Sequence, residues 1–227
     1  MSAFLSATFT VGTDTVLGSY TAEIGGPFTL HPSYTGSVLV NASLDRAYLN
    51  SAATAAYYDN GTSPGADYEV QLDFFRLTQI ATNVSLILAL DTSADTGILL
   101  RLNDTGAAVQ WEVIDRVAGS NTILNGGAAV SGSHIPSLGG AGVTAKLVRT
   151  GTSITVFFDG VQDTALNCTT GITAIGKAGI RCSGQGSSTT GIQIDNLSAT
   201  GSTVAQGSIS FRPNKLRPRI FAPGHPR

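Results

Sequence analysis

Apolar and polar residues alternate along most of this chain, most plainly from Ala145 to Gly160. There Ile154, Val156 and Phe158 fall on one side, and Ser153, Thr155, Phe157 and Asp159 on the other. A period of two is that of a strand with one core face. Val143, Ala145 and Leu147 repeat it before Thr150-Gly151-Thr152, whose glycine supplies the positive φ of a tight turn, so the stretch predicts a β-hairpin. Residues 67 to 77 predict the longest regular strand, with Tyr68, Val70, Leu72 and Phe74 opposite Glu69, Gln71 and Asp73. Val84 to Leu90 is almost wholly apolar, as in a strand covered on both faces.

Shorter segments of the same kind occupy 4–11, 28–31, 37–40, 46–50, 55–58, 98–102, 109–117, 121–124, 161–166, 179–182 and 191–200. Gly, Pro, Asn and Asp cut them off, as at Asn103-Asp104-Thr105-Gly106. About a dozen short strands without a helix-period segment predict an all-β fold. The architecture expected is a two-sheet antiparallel jelly-roll β-sandwich with an extended C-terminal arm.

Composition refines this picture in one place. Apolar residues make up 42% of the 227 and charged residues 12%, enough for a core within one domain, residues 1–205. The remainder, 206–227, contains Pro213, Pro218, Pro223 and Pro226, half of the chain's eight prolines, and these block helix and central strand alike. Arg212, Lys215, Arg217, Arg219 and Arg227 sit there without an acid. The preceding residues hold the other eight basic side chains against fifteen acidic ones, a net of −7. An acidic body thus carries a basic arm.

Phe211, Arg212, Lys215, Leu216, Arg217, Arg219, Ile220 and Phe221 interleave cations with apolar anchors. That pattern suits a groove on another protein better than a phosphate backbone, so nucleic acid is not the expected partner. The N-terminal MSAFLSATFTVG has neither a basic leader nor an apolar run of signal-peptide length, and no segment approaches a membrane span. A cytoplasm is the expected place of synthesis, with Cys168 and Cys182 as reduced thiols in apolar settings.

The segments FTVGTDTVL, GGPFTLHPSYTG, ADYEVQLDF, SITVFFDGVQ, GKAGIRCSG and GIQIDNLSAT, taken in order, resemble concanavalin A-like jelly-roll domains of the laminin-G and 3-keto-disaccharide-hydrolase-like group. The likeness is greatest to copies found in phage structural proteins, and FRPNKLRPRIFAPGHPR resembles the basic C-termini of virion proteins. The resemblance implies a non-enzymatic virion structural protein. It would be a capsid decoration or head-attached protein, made in the host cytoplasm, with the arm on a capsid or head/tail protein and the sandwich outward. A homo-oligomer fits the weakly charged surface. Carbohydrate binding, as a module or tail adhesin on a cell-surface glycan, is the alternative, and a glycoside or keto-sugar hydrolase comes third, because the fold hosts all of these.

Hydrolysis needs two carboxylates across a cleft. The nearest pattern, Glu69-Val-Gln-Leu-Asp73, has Gln71 at its centre and reads as a solvated strand face; the sequence names no catalytic residue. Tyr34, Tyr57 and Tyr58 are the candidate sugar-stacking aromatics, whereas Trp111 shares a face with Val109 and Val113 and reads as core. No cofactor is expected apart from the structural calcium that the resemblance implies, for which Asp14 and Asp195 occupy the matching positions.

Overall fold

The computed structural model of the chain describes residues 2–59, 65–126 and 134–201. The strands in chain order are β1 (Ser2–Ala7), β2 (Thr15–Val16), β3 (Phe28–Leu30), β4 (Val38–Asn41), β5 (Arg46–Leu49), β6 (Ala55–Asp59), β7 (Tyr68–Arg76) and β8 (Ala81–Asp91). They continue as β9 (Thr96–Thr105), β10 (Val109–Val117), β11 (Ser120–Gly126), β12 (Val143–Thr150), β13 (Ser153–Phe158), β14 (Val161–Thr169), β15 (Lys177–Gly184) and β16 (Ile192–Gly201). Among the described residues the one helical element is a 3-10 turn at Leu17–Ser19, so no helix is long and apolar enough to cross a membrane.

All pairings between these strands are antiparallel. One sheet runs β14-β13-β12-β7-β16-β5-β4-β2, with β1 also on β16. The other runs β11-β10-β9-β8-β15-β6-β3. The alternating residues foreseen on β7, β12 and β13 point inward: Val70, Leu72, Phe74, Leu147, Val156 and Phe158 are all buried. They meet the inner face of the second sheet at Trp111, whose ring lies 5.0 Å from Phe74, edge on, and 4.8 Å from Phe158. Trp111 Nε1–H donates to the His134 carbonyl at 3.0 Å, so the indole's polar edge is satisfied inside the core.

The expected all-β sandwich is therefore the fold, with some boundaries moved. The first strand stops at Ala7 instead of running to Val11, because Phe9 turns to φ 50 to bury its ring and its N–H donates to Tyr20 Oη at 3.1 Å. The turn expected at 103–106 begins later, since β9 continues through Asn103 and Asp104 to Thr105. Cys168 lies on β14 and Cys182 on β15, in opposite sheets. Both are free, and burial pushes their thiols up to about 11 and about 12, as expected of reduced thiols in apolar settings. The arm lies outside the described residues, and with it every anchor named from Phe211 to Phe221.

Candidate functional site

The outer face of the seven-stranded sheet departs from the usual solvated strand surface. On β8, Val84, Leu86 and Leu88 belong to the inter-sheet core, so Ser85 and Ile87 face outward. Strand register aligns the outward residues of neighbouring strands into rows. The first is Ser183, Asn83, Asn103 and Gln110, and the second Arg181, Ser85, Arg101 and Glu112. A third row is apolar: Tyr58, Gly179, Ile87, Leu99 and Ile114. Cross-strand neighbours lie about 5 Å apart, so each row acts as one contiguous surface.

The polar rows are internally bonded. Arg101 Nε donates to Glu112 Oε2 at 2.6 Å, and Gln110 Nε2 donates to Glu112 Oε1 at 2.6 Å. Ser183 Oγ and Asn83 Oδ1 are hydrogen-bonded partners in the adjoining corner. Glu112, with 2% of its side chain exposed, thus has both oxygens occupied by donors and is held as an acceptor.

Tyr34 walls this surface on the side of the apolar row. The 31–36 connection is pinned by backbone bonds from His31 N–H to the Ala56 carbonyl at 2.8 Å and from Gly36 N–H to the Thr54 carbonyl at 2.9 Å. From there the Tyr34 ring packs on the cluster of Ala56, Ile87, Leu90, Leu99 and Ile114. Its hydroxyl donates to Asp95 Oδ2 at 2.7 Å, and Arg116 grips the same carboxylate through Nε at 3.0 Å and Nη2 at 2.6 Å. Burial works to raise the Asp95 carboxyl, but the bonds from Arg116 and Tyr34 outweigh it and hold the group below its ordinary range. The Arg116 and Arg181 guanidinium carbons stand 5.9 Å and 5.6 Å from the Tyr34 ring centre. Such distances fit cation–π contact.

The other sequence candidates are dispersed. Tyr58 shares the outward face with Tyr34, its ring 6.5 Å from that of His31. Tyr57 must be corrected: strand alternation sends it inward, and at 3% exposure it is a core residue that no sugar can stack on. Asp14 accepts from Ala42 N–H at 2.9 Å and from Asn41 Nδ2 at 3.3 Å, beyond β4. Asp195 sits on β16, with β5 and β4 between it and β2, and its cross-strand neighbour is Asp73. Calcium would thus find the two aspartates in separate neighbourhoods. Among the described residues no three His, Cys, Asp or Glu side chains group closely enough to hold a metal ion.

Glu69 and Asp73 lie on the outer face of the nine-stranded sheet. Glu69 pairs with Lys146 at 3.2 Å, and Asp73 accepts from Thr144 Oγ1 at 2.6 Å, the solvated-face role expected of them. The residues that sequence reasoning missed are Ser85, Arg101, Asn103, Gln110, Glu112 and Arg181. Their only sequence signal is polarity at alternate positions within otherwise buried strands, as in Arg101-Leu-Asn103 and Gln110-Trp-Glu112.

A two-sheet antiparallel β-sandwich is the class that this architecture defines. The fold is similar to that of the carbohydrate-binding module CBM66 from Bacillus subtilis, at TM-score 0.55 and 10% identity over 77% of this chain and 95% of that one. A Bacillus subtilis protein of unknown function with a galectin-like fold aligns at TM-score 0.53 and 14% identity over 77% and 89%. The calcium-bound exoplasmic/lumenal domain of VIP36 aligns at TM-score 0.57 and 11% identity over 85% and 91%. No protein-family model matches the chain, and no curated protein sequence matches it.

Proposed function

We propose that the protein is a non-catalytic carbohydrate-binding module whose ligand lies on the outer face of the seven-stranded sheet. The observation that carries this reading is the pair of in-register polar rows beside the Tyr34 wall. Planar amide, guanidinium and carboxylate groups held by mutual bonds present donors and acceptors at fixed spacing, which is what a ring of hydroxyls needs. Preorganisation lowers the ordering cost of binding. Two of the fold neighbours, the carbohydrate-binding module CBM66 and the VIP36 domain, which also has a Ca2+/Man-bound form, support the reading at the level of fold.

A glycan array probed with the wild-type chain and with an Asn103→Ala/Gln110→Ala variant tests it. Saturable binding by the wild type, weakened about tenfold or more in a variant that still unfolds cooperatively, is the expected result. An array without any saturable signal refutes the proposal.

A second reading rests on the arm, where five basic and no acidic residues follow a body of net −7. In it the protein is a capsid decoration or head-attached virion protein: the arm anchors the chain to a capsid or tail protein, and the sandwich displays its glycan surface outward. The full chain should co-sediment with phage particles while a 1–206 truncation stays in the supernatant. Equal behaviour of the two removes the arm as an anchor.

A further inference from the structure

We propose that the saccharide held on this face is acidic, a sugar bearing a carboxylate, and that Arg181 receives the carboxylate with Ser85 beside it. The inference rests on the carbohydrate-binding reading and narrows it to a ligand class.

Three arginines reach the outer face, and two are already matched. Arg101 is paired with Glu112 and Arg116 with Asp95. Arg181 has no carboxylate within ion-pairing distance among the described residues. It is tethered through Nε to Tyr34 Oη at 3.4 Å, a long bond, and by its stacking against the Tyr34 ring. The second guanidinium edge is left for a ligand, and a planar guanidinium fork matches a carboxylate in two parallel bonds. Among the described residues Arg181 is thus an arginine of this face without a carboxylate partner, on a body that is otherwise acidic.

Ser85 gives an independent indication. It stands between Arg181 and Arg101 in the same row, is 0% exposed, and its Oγ has no hydrogen-bond partner. A buried hydroxyl without a partner is uncommon in a settled structure. Its cross-strand neighbours are the long side chains of Arg181 and Arg101, and of these Arg101 is fixed by Glu112. When Arg181 swings off its weak tether to meet a carboxylate, the Ser85 hydroxyl is uncovered and donates to the same anion.

The test is isothermal titration with a panel of uronate saccharides: oligogalacturonate, hyaluronan fragments and oligoalginate, each beside its carboxyl-reduced neutral counterpart, with dextran sulfate as a polyanion control. All runs use the full chain at physiological salt, so that unspecific attraction is screened. The expected result is binding of at least one uronate, tenfold or more weaker after carboxyl reduction, and tighter than dextran sulfate. Arg181→Gln should abolish that preference. Ser85→Ala should weaken uronate binding severalfold while the thermal midpoint stays level or rises, which a merely structural serine would not do. Equal binding of uronate and reduced forms, equal binding of dextran sulfate, or an Arg181→Gln variant with its preference intact overturns the proposal. Silence across the panel also overturns it. If neutral glycans still bind on an array, the acidic class alone falls; if the array is silent as well, the carbohydrate reading falls with it.

Discussion

Asp195 shows how a single side chain on the opposite face is placed at a cost. It stands across from Asp73 on β7, beside a bulge in β16 where Asn196 takes φ 51. Burial first, then the charges of Asp73 and Asp45, raise its carboxyl from 3.8 to about 6, against the opposing pull of the Asn196 N–H and Arg46. A carboxyl raised in the folded state favours the protonated form. Its contribution to stability is complete below pH 4 and is lost as pH rises through 6. Asp195→Asn keeps the acceptor for the Asn196 N–H and removes the charge, so it should stabilise the fold at pH 8 by about 1 kcal/mol, discounted for partial exposure, with no gain at pH 4. Urea unfolding at the two pH values measures this, and an equal effect at both would contradict it. The sequence offered Asp195 as a calcium ligand; its meeting with Asp73 depends on the register of β16 against β7, which no local pattern encodes.

Among elements, β8 links the core to the candidate site. Its apolar run was legible as a strand covered on both faces, and it is: the sandwich core covers one side and Tyr34 the other. What the pattern could not show is the irregularity between Leu88 and Asp91, where Ala89 takes φ 58. This departure turns both Leu88 and Ala89 into the core and returns Leu90 to the outer cluster, ahead of the turn that carries Asp95 to Arg116. Tyr68 of the facing sheet stabilises it. Its Oη accepts the Ala89 N–H at 2.6 Å and donates to the Gly176 carbonyl at 3.2 Å, so burial pushes the hydroxyl far up without leaving it unsatisfied. Tyr68→Phe strands a buried donor and should cost about 2 kcal/mol in denaturant unfolding. Retained stability would mean that another acceptor takes over the Ala89 amide. Strands β7, β12 and β13 were readable because each alternates cleanly over one buried face. β2, two residues long, offers too few positions for any periodicity to register.

At the scale of the molecule, two sheets bury one face each against the other, and the two outer faces have become different surfaces. On the nine-stranded sheet, charges such as Glu69 and Lys146 pair in partial exposure, where ion pairs contribute little. On the seven-stranded sheet, Glu112, Asp95 and Arg116 are buried within bonded networks that need every partner in place. The fold class could be read from periodicity because the longer strands, such as β7, β12 and β13, each report a buried face. The site could not, because its polar rows cross β15, β8, β9 and β10, and β15 is remote in sequence from the other three. On any one strand each polar residue looks like an ordinary solvated position, and only Tyr34 and Tyr58 were singled out beforehand.

The most direct test of the account is amide chemical-shift mapping of the full-length chain titrated with the strongest saccharide from the array and the uronate panel. The account predicts saturable shifts concentrated at Asn83, Ser85, Arg101, Asn103, Glu112 and Arg181, with Tyr34 at their margin. Shifts gathered instead around Glu69, Asp73 and Lys146, or no saturable shift with any saccharide, would contradict it.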